Sequence, residues 1–255
     1  LSHFSCYWKD SLPIYFTVNT ENKIDIFHGH STILSVIEIV DKVTFGTFSL
    51  CGNYLILGTR TGKIYFYNYK KKKISEITVS DGGISLIKCF ESDIDRVDSY
   101  YDSADMYGRV VAASNKKIVI LVDKKPVIEL DISQELSDIF CLRNLLITID
   151  VDGKFAVARI FEDKCFGWVS GLYEDVILAT VHKEKNFLAI VCKEGKEHVL
   201  RVIVLDDVAT MKVIFHSRVC SEPKCLCFSS SGKLLAAGCK NGDIRVLNGR
   251  SSNPT

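Results

Sequence analysis

No apolar run in the 255 residues approaches the roughly 18 that would suggest a membrane span. Neither sign of charge dominates. The 32 Lys and Arg stand against 31 Asp and Glu, so the whole chain has no net pull toward nucleic acid or an acidic membrane. Helical periodicity is missing, with no amphipathic stretch longer than two turns. The opening residues, LSHFSCYWKD, lack the basic region and greasy core of a signal peptide. Ten cysteines are too scattered for a disulfide scaffold, and most sit inside apolar runs, where a free thiol behaves as a small hydrophobe. No Asn-x-Ser/Thr acceptor occurs, and a reducing cytoplasmic or nuclear compartment is the expectation. Because the chain opens on Leu1 and not Met, flanking residues are also expected.

What the chain does have is a core-forming composition, 47% hydrophobic and 25% charged, and a repeat. FSLCGNYLILGTRTGKIYFYN, Phe48 to Asn68, returns as FSSSGKLLAAGCKNGDIRVLN, Phe228 to Asn248. The two align without a gap over 21 residues, with eight identities that include three glycines. Within the motif, Tyr54 to Thr59 and Lys63 to Asn68 read as strands around a two-residue turn at Thr61-Gly62, where Gly supplies a positive φ. The same hairpin recurs in Pro13 to Phe27 with Asn22 in the glycine's place, in Arg109 to Val122, and in Leu145 to Ile160 around Asp152-Gly153. It recurs again in Asn186 to Leu205, with a slightly longer turn around Gly195, and in Lys233 to Leu247 around Asn241-Gly242.

A short apolar strand precedes each hairpin, and a fourth β-like run follows most of them, among them ILSVIEIV, KISEITV, PVIELDI and KVIFHSRV. KCFGWVS fits that role less well. Four short strands per period of about 40–45 residues is the pattern of a β-propeller blade. The pieces VTFGTFSLCGNYLILGTRTGKIYFYN and KCLCFSSSGKLLAAGCKNGDIRVLN resemble the WD-repeat family, in which an inner strand and Gly lead into a strand of small residues and a turn. The Trp-Asp pair that names the family is replaced by Tyr67-Asn68 and Leu247-Asn248, so the resemblance is to a divergent member.

The expected fold is therefore all-β, a propeller of six visible four-stranded blades, with the last lacking its outer strand. The intact ring would hold six or seven. One domain is expected over residues 1–255, with blades near 1–40, 41–80, 81–132, 133–170, 171–219 and 220–250. Flanking residues, a partner or a missing seventh blade would supply the closing strand.

Chemistry is harder to place. Cys220, Cys225, Cys227 and His216 lack the paired spacing of a zinc site, and Cys225 and Cys227 read as buried residues on one strand face between blades. His28-Gly29-His30 resembles the family's Gly-His pair, which implies a packing role. Phosphate-loop, nucleophile-elbow and zinc-protease motifs are missing, so neither an enzyme nor a cofactor is expected.

Two segments leave the repeat. YKKKK carries Lys70, Lys71, Lys72 and Lys73 between the third and fourth strands of the second blade. Glu91 to Gly108 is inserted in the third blade, with six acids, one Arg, and Asp93, Asp95, Asp98, Tyr100, Tyr101 and Asp102 as candidate partner contacts. In a propeller these connections open on one face of neighbouring blades. Long insertions on rigid scaffolds commonly carry function, and Tyr is favoured at interfaces. The expected function is a non-enzymatic protein–protein scaffold, a subunit of a larger assembly. One alternative is an exchange propeller acting on a small GTPase in vesicle-coat assembly, by similarity to such WD-like factors. Another is a ribosome-associated or ribonucleoprotein assembly factor that contacts RNA through Lys70 to Lys73.

Overall fold

The second and third strands of the repeat are apolar on both faces, so a sheet built from them needs a neighbour on each side. A computed structural model describes residues 6–9, 12–29, 32–90, 109–161, 164–170, 173–207, 210–219 and 221–248. They fall into two compact units, Leu1–Leu136 and Ser137–Thr255.

In the first unit, β1 (Cys6–Lys9), β2 (Leu12–Val18), β3 (Lys23–His28) and β4 (Thr32–Glu38) form one antiparallel sheet in sequence order. A second comprises β5 (Val43–Phe48), β6 (Tyr54–Thr59), β7 (Lys63–Asn68) and β8 (Lys73–Thr78). A third comprises β9 (Ile84–Phe90), β10 (Arg109–Ser114), β11 (Lys117–Val122) and β12 (Lys125–Asp131). The second unit repeats the plan. Its sheets are β13 (Leu136–Leu142) to β16 (Lys164–Ser170), through β14 (Leu145–Asp150) and β15 (Phe155–Phe161), then β17 (Val176–His182) to β20 (Thr210–Val219), through β18 (Phe187–Glu194) and β19 (Glu197–Asp207). The last sheet has three strands, β21 (Pro223–Phe228), β22 (Leu234–Cys239) and β23 (Ile244–Asn248). A single 3-10 turn, Lys183–Lys185, is the helical content of the described residues. KCFGWVS does form a fourth strand, β16, with a register shift against β15.

Packing follows the double-sided pattern. Leu55 and Leu57 of β6 meet Ile14, Phe16, Ile24 and Ile26 on one side. From the other face of the same sheet, Ile56, Ile64 and Phe66 meet Ile84, Ile87, Val110 and Ala112. In the second unit Leu188 and Ile190 pack toward Ile147 and Phe155, while Ala189 and Val191 pack toward Leu235. Each fully buried aliphatic side chain contributes roughly 1.5–3 kcal/mol from water exclusion. At Gly58 the neighbouring sheet comes so close that an added Cβ would lie 2.6 Å from Ile84 Cγ2.

The hairpin turns differ from the two-residue reading. Gly62 N–H donates to Thr59 O at 3.3 Å, and Lys63 N–H to Thr59 Oγ1 at 3.2 Å. The loop is thus three residues, Arg60 to Gly62, ending in a left-handed residue with φ +79°. Asn22 (φ +64°), Gly153 (+78°) and Gly242 (+88°) close three more loops of this form. Gly195 goes the other way, since Glu194 pairs with Glu197 across a two-residue turn.

These turns also hold the chain where it leads into the next sheet. Gly62 O accepts from Val79 N at 3.0 Å and Gly153 O from Val176 N at 2.9 Å. Asn22 does the job with its side chain, Oδ1 accepting from Val43 N at 2.9 Å and Nδ2 donating to Ile39 O and Asp41 O at 2.6 Å.

Two glycine substitutions separate conformation from crowding. Gly242→Ala meets open space and should cost about 1–2 kcal/mol from the left-handed backbone alone. At Gly62 the new Cβ would sit 1.8 Å from Ser80 O, so Gly62→Ala should add a further roughly 1–3 kcal/mol of overpacking. Urea unfolding of both variants measures the gap, and equal losses would show that the turn does not press on the following link.

Candidate functional site

The basic turn is built on its own sheet. Asn68, buried at the end of β7, accepts from Lys70 N–H at 3.1 Å and Lys71 N–H at 2.9 Å through Oδ1. This Asx turn shapes the loop, and Lys72 takes a left-handed φ of +51°. Tyr69 anchors it from beneath, donating its hydroxyl to Gly52 O and meeting Phe48 edge-on at 6.5 Å between ring centroids. Lys70 Nζ donates to Asn53 Oδ1. All four lysines, Lys70 to Lys73, are exposed on a backbone fixed at both ends.

The connection from β9 to β10 leaves at the same end of the unit. Arg109 pairs with Phe90, and in the same sheet Val122 pairs with Lys125, so Lys124 marks that end. Lys124 Nζ lies 5.7 Å from the ring centroids of both Tyr54 and Phe66, and Tyr54 follows the Gly52-Asn53 loop on which Lys70 rests. Asp93, Asp95, Asp98, Tyr100, Tyr101 and Asp102 lie outside the described residues.

At the opposite end of β7, Lys63 Nζ stands 3.1 Å from Glu76 and 3.7 Å from Asp41, and Tyr65 donates to Asp41 Oδ2 at 2.8 Å. The Tyr65 phenol holds the Asp41 carboxyl below its usual value, and the bond from Lys63 does the same to Glu76. Burial, with Asp41 adding to it, pushes the Tyr65 hydroxyl up. Each charge has an opposite partner, which makes this cluster a clasp between β7, β8 and the link after β4.

The cysteine expectation needs correcting. Cys225 and Cys227 do share one face of β21, but both are exposed. Cys141, Cys192 and Cys239 are the buried ones, and burial raises the Cys192 thiol above its usual pKa. Cys220 and His30 lie outside the described residues. Among the described residues no three His, Cys, Asp or Glu side chains converge, and no helix is long and apolar enough to cross a membrane.

Sequence reasoning missed the supports of the turn: Asn53, Asn68 and the Gly52 carbonyl. A signal existed for Asn68, since Asn248 repeats it 180 positions on.

No family model and no curated protein matches the sequence. Solved structures do. The computationally designed protein Ika8 superposes with a TM-score of 0.72 at 13% identity, over 98% of this chain and 71% of that one. Hsv2 of Kluyveromyces lactis gives 0.67 at 13% identity, over 97% and 73%. The β-propeller domain of Myceliophteria thermophila Cps50 (Swd1) gives 0.67 at 10% identity, over 100% and 85%. The chain has the β-propeller fold, with its six antiparallel sheets as blades.

Asn68→Ala should remove the acceptor for two amides and cost about 1 kcal/mol, while Asn68→Asp should keep the turn. Hydrogen exchange at the Lys70 and Lys71 amides reads this directly. Unchanged protection in the Ala variant would show that Asn68 does not shape the loop.

Proposed function

We propose that this chain is a non-enzymatic interaction scaffold, a WD-repeat-like propeller subunit of a larger protein assembly, working in the cytoplasm or nucleus. The observation that carries the reading is the basic turn of Lys70 to Lys73. It is held by Asn68, Tyr69 and Asn53 at the same end of its unit as the Glu91 to Gly108 connection. A loop fixed by backbone and side-chain bonds presents its charges without having to order them on binding, which lowers the entropic cost of docking. The Glu91 to Gly108 connection carries Asp93, Asp95, Asp98 and Asp102 together with Tyr100 and Tyr101, a mix of charged and aromatic residues that suits a protein partner. The likeness to other propellers supports this use as an analogy of fold.

The test is purification of the tagged chain from native extract, in three forms: intact, lacking Ser92 to Tyr107, and carrying Lys71→Glu, Lys72→Glu and Lys73→Glu together. A stable set of co-purifying proteins should be lost with the deletion. For any partner so identified, the triple variant should associate about tenfold more slowly at low salt, with the gap closing as salt rises. A set that survives both changes overturns this surface as the docking site. One that disappears on nuclease treatment would make the partner RNA.

A further inference from the structure

Among the described residues, β4, β8, β12, β16 and β20 each end their four-stranded sheet. Such an edge offers backbone donors and acceptors to any passing strand, and a β-bulge is one of the devices that spoils it. Four of these strands are broken in that way. β4 holds the extra residue Leu34 opposite Ile26 and Phe27, β12 holds Val127 opposite Ile120 and Leu121, and β20 holds Ile214 opposite Val202 and Ile203. β16 shifts register between Val157 and Arg159 of its neighbour. β12 also places Pro126 in its edge. β8 has none of this. It pairs with β7 in unbroken register, from Lys73 opposite Asn68 to Thr78 opposite Lys63.

The pleat fixes which groups of β8 face outward. Val79 N–H continues the ladder inward, donating to Gly62 O at 3.0 Å. Alternate residues of an antiparallel strand turn both backbone groups the same way. Ile77, Ser75 and Lys73 therefore bond to β7, while Ile74, Glu76 and Thr78 turn their N–H and C=O groups outward. The side chains of these three are exposed as well, Ile74 by 51%. Charge is the remaining guard of an edge, and at Glu76 it is met by Lys63 Nζ at 3.1 Å. The other charges of the strand and its approach stand at one end, Lys70 to Lys73, and all four are basic.

We infer that β8 is an edge onto which a partner chain adds one extended strand, antiparallel, followed directly by a run of acidic residues. The partner residues opposite Ile74, Glu76 and Thr78 exchange backbone hydrogen bonds with β8. Opposite Ile74 the partner carries an apolar side chain, and opposite Glu76 and Thr78 polar ones, since these three side chains share a face. An antiparallel strand leaves β8 at Lys73, so its C-terminal flank runs into the basic turn. There Asn68 fixes the backbone and the lysines meet carboxylates without first being ordered. The acidic flank rests on the reading of Lys70 to Lys73 as a docking surface, whereas the strand addition does not.

The probe is a fluorescein-labelled peptide, TVTVVEEEE, titrated against the whole chain by anisotropy at low salt. Its first, third and fifth residues face Thr78, Glu76 and Ile74, and saturable binding is expected. N-methylation of the third and fifth residues removes two ladder donors and should weaken binding at least tenfold. N-methylation of the second and fourth, which point away from β8, should have a far smaller effect. Glutamines in place of the four glutamates should weaken binding about tenfold, with the gap closing as salt rises. Thr78→Pro removes an outward N–H while sparing the bonds to β7, and should also weaken binding about tenfold. The methylated peptides keep the test valid if that variant unfolds. No saturable binding up to about 1 mM peptide, or equal effects of the two methylation patterns, overturns the strand addition. Equal methylation effects with sensitivity to glutamine would leave the lysine turn as an acidic docking surface without β8. Ladder-dependent binding that ignores the glutamines would instead overturn the acidic flank. A dimer mass for the chain alone by light scattering, lost in Thr78→Pro, would replace the partner with a second copy.

Discussion

Burial of both faces of the middle strands is the constraint from which the rest of this protein follows. All six residues of Tyr54–Thr59 are buried, as are all six of Arg109–Ser114. No single sheet can satisfy such strands, so each must be sandwiched, and stacking four-stranded sheets side by side is the economical solution. The glycines follow from the same demand. Gly46 and Gly58 lie where Phe16 and Ile84 press closest, and Gly62 where the turn meets Ser80 O.

A second consequence is that connections are left with little structural duty and can diverge. The Asp41–Tyr65–Lys63–Glu76 clasp and the Asn22 and Gly62 bonds to the following links secure one end of the first unit. The other end carries the basic turn and the long β9–β10 connection. The first end is fixed with neutralised charge, whereas the second carries the exposed lysines of the basic turn.

The fold was largely legible in the sequence because its determinants are local. Asn22, Gly62, Gly153 and Gly242 stand where the chain needs a positive φ, and apolar runs of strand length flank them. The turn length was not legible. A Gly at the third loop position looks the same in sequence as one in a two-residue turn until Thr59 is seen paired with Lys63. Nor could the exposure of Cys225 and Cys227 be read, since their strand is as apolar as its buried counterparts. Whether a neighbour covers it is a long-range fact. The supports of Lys70 to Lys73 escaped for the same reason, because Asn53 and Asn68 look like ordinary turn residues until the loops meet.

Native-state hydrogen exchange on the isolated chain tests the central claim, that sandwiching of the middle strands carries the stability. Amides of Tyr54–Thr59 and Arg109–Ser114 should exchange only through global unfolding. Those of Ile244–Asn248, where Ile244 and Val246 are exposed, should exchange through local opening and far faster. Protection of Ile244–Asn248 equal to that of Tyr54–Thr59 would contradict the account, because an uncovered strand would then be as stable as a sandwiched one.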